Sequence, residues 1–314
     1  PLTMTFAFVF PGQGSQSVGM MQSFAQSNGV REIFAEASDV LEQDLWKLVA
    51  EGPAEALNAT INTQPVMLTA GYAVYRAWRD AGGAEPALVA GHSLGEYTAL
   101  VASGALAFRA ALPLVRFRAQ AMQDAVPVGE GAMAAILGLE DGAVSAACGE
   151  AAQGQVVEPV NFNAPSQVVI AGHKPAVERG MAAAKAKGAK RAMLLPVSAP
   201  FHSSLLKPAA EKLSAYLGTI NVSAPRIPVV NNVDVATEND AQRIKDALAR
   251  QACKPVRWVE VVRCMAGAGV THVAECGPGK VLAGLIKRID GNLQGYAITD
   301  PQSLEQALQS FKSL

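Results

Sequence analysis

Ser93 stands at the centre of Gly91-His92-Ser93-Leu94-Gly95, with the apolar run Ala87-Leu88-Val89-Ala90 before it and the helix-forming Glu96-Tyr97-Thr98-Ala99-Leu100-Val101 after it. An apolar run, a G-x-S-x-G and a helix former make the pattern of a nucleophile elbow, which lifts a serine hydroxyl off the end of a strand. The glycines answer a steric need. A serine on a strained strand-to-helix turn requires neighbours without side chains if the loop is to close and a substrate to approach. The following helix would aim its first N–H groups at the place where an oxyanion forms. The motif is short and arises by chance in glycine-rich loops, so the flanking elements carry the argument for a nucleophile.

A serine hydroxyl needs a base within hydrogen-bond reach, and the chain has four histidines. His92 adjoins the serine, where a strained turn sends side chains apart, so it reads as a brace for the elbow. His173 precedes Lys174-Pro175 and reads as a turn or capping residue, and His272 lies inside an apolar strand. His202, in Pro200-Phe201-His202-Ser203, falls where an inserted segment ends and a helix begins, and it is the preferred base. Hydrolases on this elbow add an acid between serine and histidine. Here the acids between Ser93 and His202 follow no strand of the larger unit, so a dyad is expected, with a backbone carbonyl holding the imidazole tautomer.

Arg116 and Arg118 lie about 200° apart around a helix, so only one can face a given pocket. Leu114, Arg118 and Met122 share a face, which surrounds Arg118 with apolar side chains. Such an arginine either snorkels to solvent or clamps a substrate carboxylate, for which the guanidinium fork is suited. Gly277-Pro278-Gly279 reads as a tight strand-to-helix turn. The basic stretch Lys185, Lys187, Lys190, Arg191 reads as a solvated helix end that could also receive an acidic partner protein.

These groups need elements to position them. Phe6–Phe10 reads as a buried strand ending at Pro11-Gly12-Gln13-Gly14-Ser15-Gln16, a loop at the carboxyl edge of a sheet, where α/β ligand sites form. Ser17 replaces the third glycine of a dinucleotide fingerprint, so a Rossmann site is disfavoured. Helical patterns cover Phe24 to Leu48, Gln64 to Trp78 with Pro65 in the first turn, and Arg109 to Met122. Strand 131–137, helix 141–152, strands 156–162 and 167–171, helix 174–187 and strand 191–195 then give β-α-β-β-α-β, the ferredoxin-like split unit. Beyond His202 come helix 203–217, strand 227–230, helix 240–250, a helix from Val259, strand 271–275 and helix 280–288. The expected fold is an α/β body with a parallel sheet (1–127 and 200–314) carrying an inserted small domain (128–199).

The 314 residues suffice for one large domain with a smaller insert; half are hydrophobic and 17% charged, which marks a globular chain. With 26 basic against 27 acidic residues, a general nucleic-acid binder is disfavoured. No apolar run approaches the about 20 residues of a membrane helix, and no signal-like segment opens the chain. Met4, after Pro1-Leu2-Thr3, reads as the natural start. Cys148, Cys253, Cys264 and Cys276 form no C-x-x-C pair and no metal spacing, as expected of free thiols in a reducing cytoplasm.

Taken together, the motifs resemble those of malonyl-CoA:acyl carrier protein transacylases, of the acyltransferase family of fatty acid and polyketide synthesis. The likeness is carried by Phe8-Val9-Phe10-Pro11-Gly12-Gln13-Gly14-Ser15-Gln16, Gly91-His92-Ser93-Leu94-Gly95-Glu96-Tyr97 and Arg116-Phe117-Arg118. It continues through Asn161-Phe162-Asn163-Ala164-Pro165, Pro200-Phe201-His202-Ser203 and Glu275-Cys276-Gly277-Pro278-Gly279-Lys280. The resemblance implies an α/β-hydrolase-like large domain, a ferredoxin-like small one and a site between them. It implies Ser93 as nucleophile, His202 as base oriented by the Gln251 carbonyl, and an oxyanion held by the N–H groups of Leu94 and Gln13. Arg118 would bind the malonyl carboxylate, and Gln13, Gln64, Met122, Asn163 and Phe201 would complete the substrate site. Phe201 suits malonyl over methylmalonyl, because a ring beside the acyl α-carbon would clash with an added methyl. Malonyl-CoA and acyl carrier protein are the implied partners, in the cytoplasm, with no metal, membrane or nucleic acid and no cofactor beyond the thioester substrate. A serine esterase or thioesterase on the same elbow, and an inactive carrier-docking relative, are the competing readings.

Overall fold

Phe6, Phe8 and Phe10 turn one way from the first strand and Ala7 and Val9 the other, because successive side chains leave a strand on opposite faces. Both faces are buried. The phenylalanines join a cluster with Tyr75 and Trp78, and Ala7 and Val9 join one with Trp258, Val262 and Ile286. Helices on both sides thus sandwich a central parallel strand, as its unbroken apolar character requires. These relations come from a computed structural model that describes residues 5–197 and 199–314; the Met4 start read from the sequence lies outside them.

The strands in chain order are β1 (Thr5–Phe10), β2 (Leu88–Gly91), β3 (Gly131–Leu137), β4 (Val157–Ala164), β5 (Gln167–His173), β6 (Arg191–Leu194), β7 (Val229–Val230), β8 (Val270–Cys276) and β9 (Gln294–Ile298). One sheet is ordered β7-β2-β1-β8-β9 and parallel throughout. The other, β4-β5-β3-β6, is antiparallel. Helices Asp141–Ala151 and Lys174–Ala186 pack on one face of that second sheet through Val144, Ala147, Val177 and Ala184. The split β-α-β-β-α-β unit therefore forms, inserted in the parallel α/β body. Its other face, with Met133, Val160 and Val169, meets Leu195, Val197 and Phe201. Strand β4 is tied back to the body: Val256 N–H donates to the Val160 carbonyl at 2.7 Å and Phe162 N–H to the Val256 carbonyl at 3.0 Å.

Several elements differ from their sequence readings. The stretch 24–48 divides into helices Asn28–Leu41, capped by Ser27, and Leu45–Glu51, capped by Asp44, with Glu42 left-handed between them. The helix expected from Gln64 begins at Thr60 and runs to Asp80, with Pro65 inside it. Proline there removes one intrahelical bond, and burial on both sides of the helix compensates. Helix 203–217 opens as a 3-10 turn, Ser204–Leu206, and is α-helical only from Lys207. Strand 227–230 shortens to two residues after Pro228, which has no N–H to give a ladder. Strand β9 and the helix Pro301–Phe311, closed by a capping box at Asp300 and Ser303, were not read from the sequence. The four cysteines are free, and no helix among the described residues is long and apolar enough to cross a membrane.

Candidate active site

Strand β2 ends at Gly91 and the next helix, Gly95–Ala102, begins four residues later, with Ser93 at φ 53° between them. That left-handed backbone is costly for a serine and is imposed by close packing. A Cβ on Gly91 would lie 1.8 Å from the Gly95 carbonyl oxygen, and one on Gly95 would lie 2.1 Å from that of Phe10. Asn232, just past β7, braces the turn. Its Oδ1 accepts the Ser93 N–H at 2.8 Å, its Nδ2 donates to the Gly91 carbonyl at 2.7 Å, and its own N–H donates to Glu96 Oε1 at 2.7 Å. The N–H groups of Leu94 and Gln13 take no part in the turn and loop hydrogen bonds among the described residues. Both loops meet here, since a Cβ on Gly12 would touch the His92 carbonyl at 2.6 Å and the Leu94 nitrogen at 3.5 Å.

His202 approaches from the second half of the chain, also left-handed at φ 68°. Its Nε2 lies 2.7 Å from Ser93 Oγ and its Nδ1 2.7 Å from the Gln251 carbonyl oxygen. A carbonyl only accepts, so Nδ1 carries the proton and Nε2 is left to receive one from serine. Among the described residues no carboxylate bonds this ring. His202 is 3% exposed; burial first, and then the Arg118 charge, push its pKa down to about 3. The imidazole is therefore a neutral base in the resting protein.

Arg118 is 1% exposed, so it does not snorkel to solvent. Its Nη1 donates to Gln64 Oε1 at 2.8 Å, and its Nη2 to Gln251 Oε1 at 2.8 Å and to Ser93 Oγ at 3.2 Å. Its Cζ lies 5.2 Å from the centre of the Tyr97 ring, and its Nε has no partner among the described residues. All these acceptors are neutral. Glu96 is the buried acid whose charge Arg118 feels, and burial raises that carboxyl to about 7 against the opposing Asn232 N–H and Arg118. Arg116 points elsewhere, to the Leu41 carbonyl at 3.1 Å and Gln43. The buried site thus holds a cation with unspent hydrogen-bonding capacity beside a serine hydroxyl.

A cleft of about 460 Å³ opens over Ser93 and His202, with Gln13, Asn161, Leu195 and Phe201 in its wall. Of the other residues singled out from sequence, Gln64 lies behind the serine, bonded to Arg118 and Thr60. Met122 packs with Leu206 and Ala209 beneath Phe201. Asn163 is taken up by His92, whose Nε2 is 2.7 Å from Asn163 Oδ1 and whose ring packs on Trp258. Gln13 is held at its tip by the Thr60 hydroxyl at 2.6 Å. Asn232, Asn161, Thr60 and Glu96 were not assigned roles from the sequence. Asn232 had a usable signal, since it directly follows a parallel strand at the sheet's carboxyl edge. No cluster among the described residues could hold a metal ion. A larger hollow of about 670 Å³, lined by Tyr72, Arg76, Phe108 and Arg226, contains none of these groups.

The acyl transferase domain family matches residues 7–289. The malonyl CoA-acyl carrier protein transacylase of Escherichia coli K12 is 57% identical over 305 residues, covering 97% of this chain and 99% of the relative. The acyl-carrier-protein S-malonyltransferase of Burkholderia pseudomallei 1710b superposes with a TM-score of 0.96 at 69% identity, covering 98% and 100% of the two chains. A malonyl-transacylase solved in complex with a type II PKS acyl-carrier protein superposes with a TM-score of 0.96 at 53% identity, covering 98% and 99%. The elbow in the first half of the chain and the imidazole in the second both fall inside the matched residues, and the chain belongs to the acyl transferase domain family.

Proposed function

We propose that this protein transfers malonyl from malonyl-CoA to the phosphopantetheine thiol of acyl carrier protein, through a malonyl ester on Ser93. The observation that carries the choice of acyl group is the buried Arg118 guanidinium, 3.2 Å from Ser93 Oγ. In a malonyl thioester one methylene separates the carboxylate from the reacting carbonyl, so a cation beside the nucleophile suits that diacid. Names of relatives 57% identical over nearly the whole chain support the same substrates.

His202 Nε2 takes the proton as Ser93 Oγ attacks the thioester carbon. The tetrahedral oxyanion is held by the N–H groups of Leu94 and Gln13, and the Gln251 carbonyl stabilises the imidazolium through Nδ1–H. The C–S bond breaks and His202 returns its proton to the sulfur, which leaves as the CoA thiol. The carrier thiol then enters, loses its proton to His202, attacks the ester and displaces Ser93, which recovers the proton. Protons and electrons balance without a redox partner. Phe201 closes the acyl side of the cleft, and segment 128–199 acts as the small domain that supplies the opposite wall. The reading is of a cytoplasmic enzyme using the thioester alone, with no added cofactor.

The test is covalent loading. Malonyl-CoA alone is expected to add one malonyl mass, mapped to the Ser93 peptide, and carrier protein to remove it. Ser93→Ala is expected to gain nothing, and a label on any other peptide would overturn the assignment. Release of free malonate without a thiol acceptor would instead make the protein a thioesterase.

A further inference from the structure

Among the described residues Asn161 Oδ1 is buried without a hydrogen-bond partner, although Asn161 lines the cleft over Ser93 and His202. A buried amide oxygen left alone costs about 1–3 kcal/mol, so such an atom in a binding cleft points to a ligand that supplies the donor. No described side chain supplies it, and Asn163, two residues on, has turned its own Oδ1 to His92 Nε2. Nor can Asn161 swing far away. The residues on either side of it are bonded to Val256, and β4 shifts register between Pro159 and Asn161, which fixes where the side chain leaves the strand. Met133, Leu195, Val197 and Phe201 line the same cleft, together with the polar Gln13, Gln16 and Asn58.

The missing partner is a hydrogen-bond donor, carried on a group that fits beside Leu195, Val197 and Phe201. A carboxylate does not fit, because Oδ1 is an acceptor. A secondary amide does: its N–H can meet Oδ1, while the Asn161 backbone stays opposite Val169 in the pairing of β4 with β5. In the proposed reaction the donor thioester and the acceptor thiol both enter on the same pantetheine arm, which contains secondary amides. We propose that Asn161 hydrogen-bonds an amide of that arm, and so places the sulfur of both the acyl donor and the acyl acceptor against Ser93. This rests on the malonyl-transfer reading and adds a recognition element to it.

The experiment compares Ser93 loading from two malonyl thioesters, malonyl-pantetheine and malonyl S-butyl, the second lacking every amide. In Asn161→Leu, which keeps the branched shape and removes the polar group, kcat/KM for malonyl-pantetheine is expected to fall about 10-fold, as loss of a hydrogen bond implies. The butyl thioester, which also reports on folding, is expected to load within about twofold of the unsubstituted protein. Equal losses on both thioesters, or no loss on either, would overturn the proposal while leaving malonyl transfer intact. Failure of the unsubstituted protein to load from either thioester would overturn both.

Discussion

At the scale of residues, the site is defined by what each buried polar group lacks. Arg118 has neutral acceptors on both terminal nitrogens and none on Nε, so a carboxylate would supply the charge it is missing. A charge-assisted bond contributes about 1.5–3 kcal/mol, or roughly 10- to 100-fold in rate if felt at the transition state. Arg118→Ala is therefore expected to lower the ratio of malonyl to acetyl loading by about that factor, measured with the two CoA esters in competition; an unchanged ratio would remove the clamp from the mechanism. His202 supplies a second prediction. Because its pKa is held at about 3, the imidazole stays neutral where an ordinary one, near 6.5, would be mostly protonated. Malonyl loading, followed as kcat/KM, is expected to change less than about threefold between pH 7 and 5, whereas an unshifted base would lose roughly 25-fold.

At the scale of elements, one hydrogen-bonded thread joins four of them. Glu96, on the helix after the elbow, accepts the Asn232 N–H beyond β7; Asn232 holds the Ser93 N–H and accepts from Gln251 Nε2 at 3.1 Å. Gln251, at the end of the helix Ala241–Gln251, then presents its carbonyl to His202 and its Oε1 to Arg118. Asn232→Ala would strand several buried groups at about 1–3 kcal/mol each. The expected outcome is a lowered melting temperature and a kcat for loading reduced at least tenfold with KM little changed, read by stopped-flow malonylation. Gly95→Ala drives a methyl into the Phe10 carbonyl, and loss of both loading and cooperative melting is expected from circular dichroism. These threads show why part of the site was legible in sequence. The elbow is a local steric pattern, so Gly91, Ser93 and Gly95 announce it. Gln64, Asn161 and Asn163 depend on which strand or helix faces them, and chain position alone did not say that Asn163 would serve His92 and leave Asn161 facing the cleft.

At the scale of the whole molecule, Ser93, Arg118, His202 and Gln251 come from distant stretches of the chain and are buried against one another. That burial couples the site to stability in opposite senses. His202 has a folded pKa below its unfolded one, so the unfolded chain binds more protons between about pH 6.5 and 3, and stability is lost as pH falls through that window. Burial raises Glu96 to about 7 from the 4.5 of a free glutamate, so its contribution is present below 4.5 and is lost as pH rises towards 7. The two slopes, each about 1.4 kcal/mol per pH unit, oppose one another between about pH 4.5 and 6.5, so in urea midpoints His202→Gln is expected to expose a fall in stability with rising pH and Glu96→Gln a rise. By itself the sequence determined the strands and helices with strong periodicity, the elbow and the β-α-β-β-α-β insert, because these rest on contacts between near neighbours in the chain. Strand β9, the break at Glu42 and the linking role of Asn232 were decided only by tertiary structure, because each depends on what the rest of the chain packs against it.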